Sequence, residues 1–288
     1  MVDDLLLARA REAWSGLAYA PVNFPAEGRV EVVVSAGSAL CPPGWAGIVT
    51  LGPATIATAP TERLAAALRA ALTDLPVAAR TDPDLLRTRL AATDVTDVLG
   101  PAQLAFLDEP DFRPPPNTAV ETIPRDDDAI ATLLAATPPA DAEESGLDEI
   151  TSAAFTVRGA AAGYRRWPGQ VAHLCVLTAP EWRGRGLARV VAAAAVADAL
   201  RHGLLPQWRA RPEPSRRVAR ALGFRTLGAQ LSIRCIAAHD QGVAPRGCKP
   251  GGARPLVSRQ RRPGSGRPPR RSTAGRDALI MKGWVSAA

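Results

Sequence analysis

Residues 176 to 189 read Val-Leu-Thr-Ala-Pro-Glu-Trp-Arg-Gly-Arg-Gly-Leu-Ala-Arg: an apolar run, a basic glycine-bearing turn, then the start of an alanine-rich stretch. That order of residue types suits anion binding. Gly184 and Gly186 allow the backbone to come close to a ligand, and the unpaired N–H groups of a following helix point toward any anion placed there. The positive end of the helix dipole adds attraction, as do Arg183, Arg185 and Arg189, although main-chain amides could hold a phosphate without all three. The stretch lacks the Gly-x-x-x-x-Gly-Lys-Ser/Thr of a P-loop. Gly184-x-Gly186 also has no third glycine at the dinucleotide spacing, so both nucleotide readings weaken. An ordinary strand-to-helix connection uses the same residues, and the turn alone leaves that alternative open.

The elements that would position this turn follow from periodicity and punctuation. Val120 to Ile123 reads as a short strand, Asp126 to Ala136 as a helix stopped by Pro138 and Pro139, and Asp141 to Leu147 as a second short helix. Thr151 to Val157, Ala161 to Trp167 and Val171 to Thr178 are strand-length runs separated by Gly159 and Pro168-Gly169, which predicts a meander. Gly186 to Arg201 is a long helix closed by Gly203, with Leu187, Val190, Val191, Ala194 and Ala195 on its apolar face. Ser215 to Leu222 is a helix ended by Gly223. Phe224 to Leu227 and Gln230 to Cys235 would close the sheet.

Two spaced matches carry a resemblance. Arg183-x-x-Gly186-x-Ala188 resembles the acyl-CoA signature of the GNAT superfamily of N-acyltransferases, and Ser215 to Phe224 is similar to that family's helix ending in Leu-Gly-Phe. The resemblance covers about residues 118 to 235 and implies a GNAT fold: α/β (α+β), a mixed, mostly antiparallel sheet flanked by helices. It makes Val176 to Thr178 part of the family's fourth strand. The fifth, Leu204 to Arg209, would splay from the fourth to admit the pantetheine arm.

The resemblance further implies an N-acetyltransferase that passes an acetyl group from acetyl-CoA to a primary amine of a small molecule or protein by direct attack, with no metal. Backbone N–H groups around Val176, Leu177 and Thr178 would face the developing oxyanion, and amides from Gly184 through Arg185, Gly186, Leu187 and Ala188 to Arg189 would take the pyrophosphate. The proton on the amine calls for a general base or a water chain. The chain departs from the family where such groups often sit. Ala172 and Gln207 stand at strand positions that commonly carry a carboxylate, Ala219 replaces a tyrosine, and Pro212 an asparagine. His173 could serve as base or be structural. Ser215 could protonate the leaving thiolate or cap its helix. Glu143, Glu144 and Tyr164 are further candidates for amine recognition, and Glu181 reads as solvated. A catalytically degenerate acyl-CoA-binding module is the alternative function.

Composition frames the remainder of the 288 residues. Residues 236–288 hold nine Arg, two Lys and two Asp, a charge of +9, whereas the whole chain carries +7, so the first 235 residues sum to −2. Pro, Gly, Ser and Arg dominate that tail, which predicts disorder. It reads either as a basic arm for nucleic acid or another acidic partner, or as sequence without a selected role. The charge of the remainder makes nucleic acid an unlikely partner for the whole. Residues 1–117 form an accessory region with helices at Leu5 to Leu17, Thr61 to Leu72 and Leu85 to Ala91, and strands at Val30 to Ser35 and Gly47 to Leu51. Gly100-Pro101 leads into an apolar run, Ala102 to Leu107, and Pro110 to Pro116 reads as a linker to a domain spanning 118–235. The region looks similar to N-terminal extensions of some bacterial GNAT proteins, and is expected to cover the acceptor side or to bind a partner. Cys41, Cys175, Cys235 and Cys248 show no metal-ligand spacing. No apolar run of eighteen residues or signal sequence is present, so a cytoplasmic protein without membrane contact is expected, with a homodimer possible.

Overall fold

The computed structural model describes residues 4–116 and 119–235; the tail expected to be disordered, 236–288, lies outside the described residues. Ten strands form one sheet: β1 (Val30–Val34), β2 (Ala46–Leu51), β3 (Ala54–Ala59), β4 (Val95–Phe106), β5 (Glu121–Ile123), β6 (Ala154–Val157), β7 (Ala160–Trp167), β8 (Val171–Thr178), β9 (Leu205–Ala210) and β10 (Arg225–Cys235). Their order is β1-β3-β2-β10-β4-β9-β8-β7-β6-β5. Only β1/β3 and β8/β9 run parallel, so the sheet is mixed and mostly antiparallel, as the resemblance implied. The helices are α1 (Leu5–Gly16), α2 (Glu62–Thr73), α3 (Pro83–Arg89), α4 (Asp128–Ala135), α5 (Pro139–Ser145), α6 (Leu187–Arg201) and α7 (Glu213–Ala221).

Strand alternation decides which helices meet which side chains. Ala105, Leu174 and Leu231 point toward the face covered by α2, α3, α6 and α7, where they join two buried apolar clusters. Leu104, Phe106, Val171, Cys175 and Leu177 point to the opposite face, under α1, α4 and α5. Local signals start the helices. Thr61 caps α2 by accepting from the Leu64 N–H at 3.3 Å, and Asp127 caps α4 by accepting from the Ala129 N–H at 2.9 Å.

The N-terminal region and the following segment share this sheet. β4, from the first 117 residues, lies between β9 and β10 and is antiparallel to both. Its start at Val95 precedes the expected apolar run: Gly100 and Pro101 sit in a bulge, because Gln230 pairs with Ala102 and Ser232 with Leu99. A proline lacking an N–H is tolerated at such a position.

Other expectations need correction. Pro110 to Pro116 is not a free linker: Phe112 packs on the core beside α6 and α7, and the Arg113 N–H donates to the Leu222 carbonyl at 3.0 Å. The two closing strands are one, β10, running through Gly228. A Cβ there would lie 1.8 Å from the Thr50 carbonyl oxygen, so this glycine permits close strand approach rather than a turn. β3 was missed because Ala-Thr-Ile-Ala-Thr-Ala is buried on both sides and shows no alternation. On α6 the buried residues are Val191, Ala192, Ala193, Ala195, Val196 and Ala199, whereas Leu187, Val190 and Ala194 are half-buried. A helix rich in alanine on every side gives little indication of its phase.

Candidate functional site

β8 and β9 pair over only three residues, Val171↔Leu205, Ala172↔Pro206 and His173↔Gln207, although β8 continues to Thr178 and β9 to Ala210. Beyond that point each strand is held on its other side alone: β8 by β7 along its whole length, β9 by β4 from Gln103↔Ala210 to Phe106↔Gln207. The strands part, and a groove of about 660 Å³ opens there. Leu174 and Val176 line one wall and Trp208 and Ala210 the other. The turn Gly184 to Arg189 lies at one end, and α7 contributes Ser215, Arg217 and Val218.

Main-chain direction in β8 follows from two hydrogen bonds. The Gln170 carbonyl accepts from the Leu205 N–H at 2.8 Å, toward β9, whereas the Ala179 N–H donates to the Gly159 carbonyl at 2.9 Å, toward β7. Alternation therefore turns the amides of Leu174, Val176 and Thr178 into the gap and that of Leu177 away from it. The Thr178 Oγ1 is buried without a hydrogen-bond partner and lines the groove.

The turn is built for close approach. Gly184 and Gly186 both have φ of +77°, and a Cβ on either would meet nothing within 4 Å. Gly186 is the N-cap of α6. Its carbonyl accepts from the Arg189 and Val190 N–H groups at 3.1 and 3.3 Å, which leaves the Leu187 and Ala188 amides without a helical acceptor. Arg189 lines the groove and its buried Nε lacks a hydrogen-bond partner. Arg183 is tethered at the mouth, donating from Nε to the Thr178 carbonyl at 3.2 Å and pairing with Asp141 at 2.7 Å. Arg185 is turned elsewhere: its guanidinium lies 4.7 Å from the centre of the Trp182 ring, which Arg158 approaches at 5.0 Å. Gly159 is required beneath that ring, because a Cβ would come within 2.2 Å of it.

The acid–base candidates separate. His173 points to the opposite face from Leu174 and Val176. Its Nδ1 lies 2.5 Å from Gln207 Oε1, and its ring stacks on Trp167 at 4.3 Å. Burial, reinforced by the nearby Arg209 and Arg165 guanidiniums and opposed by the Gln207 hydrogen bond, lowers its pKa to about 3. The imidazole is thus neutral near pH 7, and its stacking and hydrogen bond fit the structural role that the sequence left open. Ser215 does not cap α7, whose N-cap is Pro212 with no side-chain bond; it accepts from the Trp208 Nε1–H at 3.0 Å and lines the groove. Tyr164 is buried and donates to Asp198 at 2.8 Å, and burial raises its pKa, which makes it a core residue. Glu143 is exposed. Glu144 lies where the groove meets two small recesses on the far face, and it makes a two-point ion pair with Arg211, one hydrogen bond of it 3.0 Å long.

The structure therefore gathers Val176, Leu177, Thr178, Arg183, Gly184, Gly186, Leu187, Ala188, Arg189 and Ser215 around one groove and leaves out His173 and Arg185. Sequence reasoning missed Trp208 and Arg209, whose placement depends on where β8 and β9 separate. Among the described residues no cluster of His, Cys, Asp and Glu is arranged to hold a metal ion, and no helix is long and apolar enough to cross a membrane.

Comparison with known proteins falls on this same stretch. The family model described as GNAT acetyltransferase matches residues 161–229, from β7 into β10, so this segment carries the GNAT signature. No curated protein matches. Among solved structures, similarity extends to a GNAT-family protein from Novosphingobium aromaticivorans, 24% identical, covering 48% of this chain and 65% of that one, TM-score 0.39. It extends also to a GCN5-related N-acetyltransferase from Kribbella flavida, 17% identical, covering 54% and 65%, TM-score 0.40. A GNAT-family acetyltransferase from Colwellia psychrerythraea is 14% identical, with 54% and 63% covered and a TM-score of 0.39. The chain thus spans less than two thirds of the length of each.

Proposed function

We propose, from the GNAT match over residues 161–229, that the groove binds acetyl-CoA and that the protein transfers its acetyl group to a primary amine. The observation that carries this reading is the parting of β8 from β9 beside a glycine turn whose amides and open space suit a pyrophosphate. Leu187 and Ala188 amides, with Arg189, would hold the phosphates. The gap between the strands would take the pantetheine arm, leaving the thioester carbonyl within reach of the Val176 amide. The unpartnered Thr178 Oγ1 and Arg189 Nε fit a ligand that brings both acceptors and donors.

The amine nitrogen attacks the thioester carbon, the N–C bond forms, the C–S bond breaks, and the nitrogen gives up its proton. His173 lies on the far face of β8, its ring held against Trp167 and Gln207, and does not line the groove. Glu144 borders both the groove and the recesses on the far face, and we assign it the proton, received through solvent. Glu144→Gln is expected to lower free-thiol release from acetyl-CoA at pH 7 by on the order of 100-fold. The deficit should shrink toward pH 9 to 10, where more of a typical alkylamine is already neutral; an unchanged rate at pH 7 would remove Glu144 from the mechanism. A second reading, acyl-CoA binding without transfer, is supported by Ala219 and Gln207, which stand where the resemblance implies a tyrosine and a strand carboxylate. Binding without thiol release across an amine panel would select it.

A further inference from the structure

With the pantetheine arm between β8 and β9 and the pyrophosphate on the glycine turn, the adenosine end of a bound CoA extends past the groove. Trp182 stands at that rim and lines the groove beside Arg183 and Gly184. Its ring is set against the turn between β6 and β7. The Ala179 N–H donates to the Gly159 carbonyl at 2.9 Å, and the backbone of Gly159 lies so close to the ring that no Cβ would fit. The same turn delivers a charge. Arg158, the residue before Gly159, lies 5.0 Å from the centre of the ring, and Arg185, from the glycine turn, lies 4.7 Å from it.

Two guanidiniums on one indole are within about 10 Å of each other, about a Debye length at ordinary ionic strength, so they repel. Attraction to the ring holds each of them against that repulsion and orders its planar fork at an exposed position. Among the described residues neither guanidinium forms an ion pair. Asp141 is engaged by Arg183, and Glu181, next to Trp182 in the chain, is exposed and pairs with neither. Paired forks of this kind match the oxygens of a phosphate. The α7 side of the groove, which offers Arg217, suits a second anion less well. Glu213 pairs there with Arg220 and lies close enough to Arg216 and Arg217 to offset their charge.

Charge matching identifies the phosphate. The pyrophosphate of CoA is a diester with one negative charge on each phosphate, and the Leu187 and Ala188 amides with Arg189 answer it. The ribose 3′-phosphate is a monoester that carries close to two negative charges at pH 7, which the two cations on Trp182 would balance. We propose that Arg158, Trp182 and Arg185 form a subsite for the 3′-phosphate, through which the protein distinguishes CoA from 3′-dephospho-CoA. The assignment rests on the acyl-CoA reading of the groove. It gives a binding role to Arg158, which lies outside the glycine turn, and to the Arg185 side chain, which is turned out of the groove.

The test is calorimetric titration of the full chain with CoA and, separately, with 3′-dephospho-CoA. CoA should bind at least about tenfold more tightly, and raising the salt concentration should narrow the difference. Arg158→Gln, which keeps a polar side chain at an exposed site and removes the charge, should bring the ratio of the two affinities below about threefold. A variant that had merely lost structure would weaken both ligands and leave the ratio as it was. Arg217→Gln should preserve the wild-type ratio. Equal binding of the two ligands by the wild type overturns the subsite while leaving the acyl-CoA reading intact, and so does a ratio that collapses in Arg217→Gln but not in Arg158→Gln. Binding of neither ligand by the folded protein overturns the acyl-CoA reading and the subsite with it.

Discussion

Gly186 carries the most specific expectation at the residue scale. Its φ of +77° is a left-handed conformation, and the space where a Cβ would project is open. Gly186→Val should cost roughly 1–2 kcal/mol of stability through backbone strain. It should weaken acetyl-CoA binding by on the order of 100-fold by filling the approach to the turn. Thermal melts and calorimetry separate the two effects, and unchanged affinity in a folded variant would exclude the turn as the phosphate site. The left-handed turn at Gly186 was legible in the sequence because glycine adopts a positive φ without strain at a helix start. His173 was not, since its meaning depends on which face of β8 it occupies. With a folded pKa of about 3 and an ordinary unfolded value near 6.5, it stays neutral in the folded state while the unfolded chain takes up a proton. Its contribution to stability is therefore complete above pH 6.5 and is lost as the pH falls from there toward 3, by at most about 1.4 kcal/mol per pH unit. His173→Asn should flatten that part of the stability–pH curve measured by denaturant titration, and a curve identical to wild type would mean that the ring is not buried neutral.

At the scale of elements, β8 occupies Val171–Thr178, the span expected from its residues, because Gly169 and Pro180 bound an apolar run. The separation of β8 from β9 was expected only through the resemblance; beyond the parting β9 is held by β4 on its outer side, and no local pattern near β9 announces that strand. α7 is fixed to β9 by the Trp208–Ser215 hydrogen bond, and the edge-on contact of Trp208 with Phe224 at 5.5 Å holds the segment that follows α7. Ser215→Ala leaves the Trp208 N–H without its acceptor and should cost about 1–3 kcal/mol. If Ser215 serves only this structural role, the rate of thiol release at saturating substrates falls by less than about threefold, which is within 1 kcal/mol of barrier. A loss of 100-fold or more in a variant of near-normal stability would instead make Ser215 the donor to the leaving thiolate.

For the whole molecule, the ten-stranded sheet places β4, from the N-terminal residues, between β9 and β10. Leu104 and Phe106 of β4 are fully buried against α1 and β9, and removing them would open two long strand edges at once. A fragment of residues 119–235 should therefore be insoluble or unfolded by circular dichroism, whereas a fragment that folds and binds acetyl-CoA like the full chain would show that β4 is dispensable. The sequence suggested two segments because the proline-rich stretch near residue 113 looks like a linker; it does not reveal that the strand before it crosses to the other side of that break. The central claim, that the parted strands and the glycine turn form an acyl-CoA site, is tested most directly by calorimetric titration of the full chain with acetyl-CoA. Saturable binding with a micromolar dissociation constant, lost in Gly186→Val, is the predicted result. No detectable heat of binding by a folded wild-type protein at millimolar acetyl-CoA would contradict it.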